Sequence, residues 1–384
     1  MTPASEPAAP RRGRLDFLDF IRLAAMAFMV QGHTLDALVR PQHLDLGTFP
    51  WNVWHALRGQ TAPIFLMVSG LVGVLSLRRD EDGRVPAARL GHRLAWAFGL
   101  MALGYLLVFP ANRIADLRWL SPEGWRGFLQ VNILQLNGAG LLILTALASL
   151  TRSDRAYGRI ALGLAAATLV ATPLIQALDW FRILPEGLAA YVSHAHGSLF
   201  PLFPHGMYLF LGAAAGWHLK GIPPEEASRR FRRLCGWGTL AALAGSGLAA
   251  LLPPGLLPPH DLYTTSWTFT LLRLGLALPM MALLSLWAER RPTFTAACAP
   301  LGKHSLKVYV GHLVLLYGLP WTLGLTGKVY RSLGLGSGLL AVLLVGGITF
   351  GGVILLERIQ RQAAPLWLAL RLSSAGLVAW ALIF

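Results

Sequence analysis

Charged residues are scarce in this chain: they make up 13% of its 384 residues, about half of the roughly 25% that is usual in soluble domains. Hydrophobic residues account for 55%, which excludes disordered, collagen-like and coiled-coil proteins, because each of these needs a polar or strictly periodic composition. Cysteine is nearly absent, and Cys235 and Cys298 cannot form a disulfide framework or a zinc cluster. The composition therefore predicts a polytopic membrane protein made of helices.

Several motifs of well-known enzyme classes are also missing. The chain contains no Walker A motif, no dinucleotide-binding fingerprint, no H-E-x-x-H and no G-x-S-x-G, so the chemistries that depend on them have no support here. No set of residues with metal-ligand spacing presents itself, and we expect no metal. The two halves lack the matching pair of glycine- or proline-broken helices that many transporters have, which argues against a transporter without excluding one.

Long apolar segments dominate what is present, and a membrane-spanning helix needs about 20 mostly apolar residues. We predict an all-α polytopic membrane protein with ten or eleven transmembrane helices, because two of the eleven candidates, 94–110 and 304–319, are short or polar. The candidates are 15–38, 55–77, 94–110, 128–149, 158–178, 199–219, 235–252, 266–287, 304–319, 334–356 and 365–384. Residues 1–14 are polar and rich in proline and alanine, which predicts a disordered cytoplasmic tail before a single transmembrane domain over 15–384.

The net charge of +15 is spread unevenly over the loops. If the N-terminus is cytoplasmic, every cytoplasmic loop carries at least two lysines or arginines, as the positive-inside rule requires. This pattern supports that orientation, and a nucleic-acid partner is not needed to explain the charge. Histidines have the opposite bias, since eight of eleven fall on the outer side, namely His33, His43, His55, His194, His196, His205, His260 and His312. Because histidine transfers protons near neutral pH, the pattern predicts chemistry on the outer side, with chance clustering in polar loops as the alternative.

The first helix carries more polar residues than a simple anchor needs, and ionisable groups inside a span mark a functional site by default. Arg22 and His33 are eleven residues apart, about 16 Å along a helix axis, so a donor held at Arg22 by an anionic end would present its reactive end near His33. His33 and Asp36 are suited to act as a general base and the carboxylate that orients it, if their rotamers meet. A histidine at the lipid headgroup level is the alternative.

Arginines in the loop after the second helix, and in the helix that follows it, are candidates for binding phosphate groups, because guanidinium groups bind phosphates well. They are Arg78, Arg79, Arg89 and Arg93. The positive-inside rule alone also predicts cations at these positions, so both interpretations remain open at this point.

Four uncharged polar residues in apolar surroundings are further candidates. His55, at the outer end of the second helix, is either an interfacial residue or a catalyst. Gln135 and Asn137 either line a substrate path or join helices through hydrogen bonds. His312 is either a buried, hydrogen-bonded histidine or part of the site.

Four stretches of sequence between residues 15 and 320 contain a characteristic order of motifs. The first has the arginine and histidine eleven residues apart and then H-x-x-D; the second has A-P-x-F; the third has L-Q-x-x-G; the fourth has F-P-x-x-P and later S-L-x-x-Y-x-x-H. Their sequences are LDFLDFIRLAAMAFMVQGHTLDAL, TAPIFLMVSGLVG, ILQLNGAGLLIL, and FPLFPHGMYLFLGAAAGWHL with LGKHSLKVYVGHLVLL. Together they resemble the membrane-bound acyltransferase-3-like superfamily, and most closely the bacterial relatives of the heparan-alpha-glucosaminide N-acetyltransferase catalytic domain.

The resemblance implies transfer of an acyl group, expected to be acetyl, from cytoplasmic acyl-CoA to an extracytoplasmic acceptor such as a sugar hydroxyl or amine of an envelope glycan. It implies acyl-CoA as a co-substrate, no tightly bound cofactor, and contact with membrane lipid in a bacterial inner membrane. Arg22, Arg78, Arg89 and Arg93 would hold the donor. Small residues on most helices leave the oligomeric state open.

The resemblance also implies roles at the outer side. His33 would deprotonate the acceptor or carry the acyl group, with Asp36 orienting it, and His55, Gln135, Asn137 and His312 would line the acceptor site. His55 lies where the sugar N-acetyltransferases have their active histidine, but the run from His55 to Pro63 is shorter than theirs, which favours His33. The other interpretations are a proton-coupled transporter or flippase for an anionic or amphipathic solute, and an inactive relative that acts as a membrane scaffold.

Overall fold

Sixteen α-helices account for most of the structure, a computed structural model that describes residues 15–253 and 255–383. They are α1 Asp16–Leu38, α2 Trp51–Arg58, α3 Thr61–Leu75, α4 Ala87–Leu107, α5 Pro122–Leu129, α6 Ile133–Leu150, α7 Asp154–Gln176, α8 Glu186–Ala189, α9 Leu202–Leu219, α10 Pro224–Ala250, α11 Trp267–Arg290, α12 Pro292–Lys303, α13 Ser305–Tyr317, α14 Thr326–Val329, α15 Leu335–Gln362 and α16 Ala364–Ile383. One short antiparallel pair joins Gly318–Leu319 to Thr322–Leu323. The predicted disordered tail, residues 1–14, lies outside the described residues.

Each of the eleven predicted transmembrane segments overlaps a helix. Within the described part of the chain, seven helices are long and apolar enough to cross a membrane; they are Trp51–Leu75, Ala87–Leu107, Ile133–Leu150, Asp154–Gln176, Trp267–Arg290, Leu335–Gln362 and Ala364–Ile383. Three others, α1, α9 and α10, are of similar length but more polar, and α13 is apolar but shorter. The predicted fold class, an all-α polytopic membrane protein, is confirmed.

The long helices alternate in direction, so the bundle has two ends. The start of α1, the end of α3 and the start of α4 lie at one end, which we call the basic end because Arg78, Arg79 and Arg89 are there. The end of α1 and the starts of α3 and α6 lie at the other, which we call the histidine end. α1 packs against α3, α11, α12 and α15, and it therefore connects the two ends through the interior.

Glycines allow α3 and α9 to pack with their backbones nearly touching. A Cβ atom on Gly212 of α9 would lie 2.0 Å from the carbonyl oxygen of Met67, and one on Gly70 of α3 would lie 2.0 Å from that of Leu209. Small residues at such contacts are typical of membrane helices, where close van der Waals packing drives association. The contact fixes α3, and with it the side chains that α3 contributes to the site described below.

We expect Gly212→Val to lower the free energy of unfolding by about 3 kcal/mol, because the added atoms force α9 away from α3. Thermal unfolding of the protein in detergent measures the change. Gly163→Val is the matched control, since Gly163 lies in a membrane helix and has open space where its Cβ would be. Equal melting temperatures for the two variants would contradict the importance of this contact.

Candidate active site

A cavity of about 720 Å³ opens at the basic end between α1, α3, α4 and α6. All four arginines that the sequence assigned to the donor line it, together with other polar side chains; the polar lining residues are Arg22, Ser69, Ser76, Arg78, Arg89, His92, Arg93 and Thr145. No carboxylate is among the lining residues of this cavity, all of which lie in the described part of the chain. Its chemistry therefore fits an anion such as a phosphate group.

The backbone around this cavity is held by an ion-pair network in which Arg79 takes part. Its Nε lies 2.8 Å from Asp154, and Lys220 lies 2.5 Å from the other oxygen of the same carboxylate. Arg79 also donates to the backbone and hydroxyl of Thr151. Because Arg79 is committed to this structural network, it does not line the cavity, whereas its neighbour Arg78 does.

Two of the lining arginines are anchored by the protein itself. Arg22 lies 3.5 Å from Asp19, one turn earlier on α1. Arg93 donates through Nη1 to the carbonyl oxygen of Gly73 at 3.0 Å, while its Nε is buried without a hydrogen-bond partner in the described part of the chain. Such anchoring directs a guanidinium group into the cavity and reduces the entropy that is lost when a ligand binds.

A second cavity, of about 330 Å³, lies at the histidine end between α1, α4, α6 and α13. Its polar lining residues are His33, Thr61, Asn132, Gln135, Tyr309 and Tyr317, and the rest of the lining is mostly apolar. His33 and Gln135 were both predicted for the site, and the structure places them in this one cavity. Arg22 and His33 thus belong to different cavities, about 16 Å apart along α1.

His33 and His312 are in direct contact although 279 residues separate them in the chain, with Nδ1 of His33 2.9 Å from Nε2 of His312. Nδ1 of His312 lies 2.9 Å from the carbonyl oxygen of Val308. Because a carbonyl oxygen only accepts, Nδ1 of His312 carries a hydrogen and its Nε2, in the neutral ring, is an acceptor. His33 then donates from Nδ1, which leaves the lone pair on its own Nε2 available to a ligand.

Asp36 has a different partner from the one that the sequence suggested. Its carboxylate forms an ion pair with Arg58, and Arg58 also lies over the ring of Trp54, 4.8 Å from the centroid. The residue that orients His33 in the structure is therefore His312. Asp36, one turn from His33 on the same helix, was the nearest candidate by sequence. His312, on α13, instead contacts the His33 ring. A catalytic role for Asp36 stays a prediction.

His55 is exposed near the end of α2 and is not among the lining residues of either cavity. Its predicted part in substrate binding therefore has no geometric support in the described residues. Its neighbourhood includes Arg58 and Asp36, which form the ion pair above. A role of His55 in substrate binding therefore stays a prediction.

Gln135 and Asn137 differ sharply, although both are buried in the first turns of α6. Asn137 accepts a hydrogen bond of 2.8 Å from Ser69 of α3, so it joins two helices. Neither Oε1 nor Nε2 of Gln135 has a hydrogen-bond partner within residues 15–253 and 255–383. The two interpretations of these amides therefore apply to different residues. Asn137 links two helices through a hydrogen bond, and Gln135 is an unpaired polar group at a cavity within the described residues.

Comparison with known proteins places the chain in a family. The family model for the catalytic region of heparan-alpha-glucosaminide N-acetyltransferase matches residues 14–251, which include α1 to α10 and all the lining residues of the first cavity. His312 lies beyond the matched region. No curated protein matches the sequence. The match covers well over half of the chain, so this integral membrane protein belongs to the heparan-alpha-glucosaminide N-acetyltransferase catalytic-domain family, a family of acetyltransferases.

Proposed function

We propose that this protein transfers an acetyl group from acetyl-CoA, bound in the arginine-lined cavity, to an acceptor bound in the cavity of His33. The observation that carries the proposal is the placement of two chemically distinct cavities along one helix. α1 contributes Arg22 to the first and His33 to the second. Two separate cavities of different chemistry suit a reaction between a long, anionic donor and a separate acceptor.

Coenzyme A is a polyanion, and its phosphate groups match the four arginines of the first cavity. The thioester lies at the far end of the molecule, so phosphates held at Arg22, Arg78, Arg89 and Arg93 leave the acyl group free to extend toward His33. The basic end also carries most of the lysines and arginines in loops, which supports a cytoplasmic location for that end. The donor is then taken from the cytoplasm as a co-substrate.

His33 acts as the general base in this proposal. Its Nε2 takes the proton of the acceptor hydroxyl or amine while the acceptor oxygen or nitrogen forms a bond to the thioester carbonyl carbon. When the tetrahedral intermediate collapses, the carbon–sulfur bond breaks and the proton passes from His33 to the departing thiolate, which leaves as CoA. His312, held by Val308, keeps His33 in the tautomer that makes this exchange of a proton feasible.

The acceptor side faces away from the cytoplasm in this orientation. We propose a sugar hydroxyl or amine of an envelope glycan, bound among Gln135 and the tyrosines of the second cavity, with the protein in a bacterial inner membrane. Asp36 contributes by holding Arg58, and through it α2, against α1 near His33. Transfer then carries the acetyl group from one membrane face to the other.

The proposal is tested by incubating the purified protein in detergent with acetyl-CoA and a panel of sugars bearing free hydroxyls or amines. We expect free CoA and acetylated sugar to appear together in equal amounts. A protein that is folded and binds acetyl-CoA, yet acetylates none of these sugars and hydrolyses no thioester, would contradict the proposal. Uptake of a solute into proteoliposomes without acetyl transfer would support a transporter instead.

A further inference from the structure

Gln135 occupies an unusual position for an uncharged polar residue. Its side chain is 0% exposed, it lies in the first turn of α6, and it lines the same cavity as His33. Gly104 of α4 makes room for it, because a Cβ at that position would lie 2.5 Å from Oε1 of the amide. The amide is thus enclosed by helix packing and lies next to the proposed reaction centre.

Neither the oxygen nor the nitrogen of the Gln135 amide has a hydrogen-bond partner among the residues that the structure describes. Other polar side chains on α6 are satisfied: Asn137 pairs with Ser69, and Thr145 donates to the carbonyl oxygen of Leu141. Buried polar groups are nearly always paired, and an exception calls for a functional explanation. A ligand in the cavity would supply the missing partner.

We propose that Gln135 is a catalytic residue that stabilises the oxyanion of the acetyl transfer reaction; this inference rests on the function proposed above. As the acceptor oxygen or nitrogen bonds to the carbonyl carbon, the carbonyl π electrons move onto oxygen, and an N–H of Gln135 donates to that oxygen. The proton of the acceptor goes to Nε2 of His33. When the carbonyl re-forms, the carbon–sulfur bond breaks and the thiolate takes the proton from His33, which restores both residues.

The composition of the cavity suits a neutral donor in this role. Neither a lysine nor an arginine is among its lining residues, all of which the structure describes. No cationic side chain of the lining can therefore stabilise negative charge on the carbonyl oxygen. Hydrogen-bond donors already fixed in an apolar, enclosed site stabilise such charge far better than water does. Gln135 packs against Gly104, so its side chain needs little reorientation during the reaction.

Gln135→Met separates a catalytic role from a structural one, because methionine has a similar length and no hydrogen-bonding groups of comparable strength. We expect kcat to fall about 100-fold while the affinity for acetyl-CoA is unchanged and the melting temperature is equal or higher, since unpaired polar atoms leave the interior. The comparison variant Asn137→Leu removes a satisfied hydrogen bond of the same helix and should lower the melting temperature. A kcat of Gln135→Met within about twofold of wild type would overturn the proposal.

Gln135→Glu gives a second test, which remains valid even if Gln135→Met fails to fold. The protonated carboxyl can donate to the oxyanion, and the carboxylate cannot. The activity of this variant relative to wild type should therefore fall as pH rises. A constant ratio across pH would overturn the proposal, whereas failure of the wild type to acetylate any acceptor would contradict the proposed function itself.

Discussion

We expect His33→Gln to lower the kcat of acetyl transfer about 10²- to 10⁴-fold, the range for the loss of a general base. The glutamine fills a similar volume and still can hydrogen-bond to His312, but it cannot take a proton from the acceptor. Binding of acetyl-CoA should be unaffected, because His33 is outside the arginine-lined cavity. Steady-state kinetics together with donor binding by calorimetry measure both quantities.

His260→Gln is the matched control for this experiment, since His260 is an exposed histidine in the loop before α11, away from both cavities. His312→Gln distinguishes the two histidines further. It should lower kcat and displace the pH profile, because His33 loses the neighbour that fixes its tautomer. Full activity of His33→Gln would exclude His33 as the general base and favour His55 in that role.

Loss of charge in the arginine-lined cavity is the second large effect we expect. The double variant Arg78→Gln/Arg89→Gln should weaken acetyl-CoA binding about 10- to 100-fold, because each charge-assisted hydrogen bond to a phosphate contributes roughly 1.5–3 kcal/mol and both side chains are exposed enough for water to reduce that contribution. Both residues line the cavity, and neither forms an ion pair within the protein in the described structure. The kcat at saturating donor should change little.

A second double variant, Arg229→Gln/Arg233→Gln, makes the same change in net charge at the same end of the bundle. Both of these arginines are exposed on α10 and are not among the lining residues of the cavity. Equal loss of affinity in the two double variants would mean that general charge, and not this cavity, attracts the donor. Loss in the first pair alone would assign the phosphates to Arg78 and Arg89.

Sequence patterns predicted the helices well because the apolar segments are long, and a long apolar run has few alternatives to a membrane helix. The short helices α5, α8 and α14 were not predicted, since helices of four to eight residues depend on surrounding packing more than on their own sequence. The four arginines of the arginine-lined cavity were predictable as a group from the sequence. Three of the four lie close together in sequence, Arg78 in the loop between α3 and α4, and Arg89 and Arg93 in the first turns of α4.

The pairing of His33 with His312 was not predictable by the same reasoning. A single sequence contains no direct information on which helices are neighbours, so Asp36, one turn from His33, was the nearest partner to consider. In the structure, Arg58 of α2 binds Asp36 and His312 of α13 binds His33. The lack of hydrogen-bond partners for Gln135 among the described residues was not predictable from the sequence either, because hydrogen bonding of a buried side chain depends on tertiary packing.

Acetyl transfer across a sealed membrane shows whether the two cavities serve opposite membrane faces. The protein is reconstituted into sealed proteoliposomes, the orientation of each vesicle population is determined by labelling, and acetyl-CoA with a labelled acetyl group is supplied to one face while the acceptor is present only at the other. We expect labelled product only when the donor is at the face of the arginine-lined cavity and the acceptor is at the face of His33. Product formed only when both substrates share one face would contradict the account.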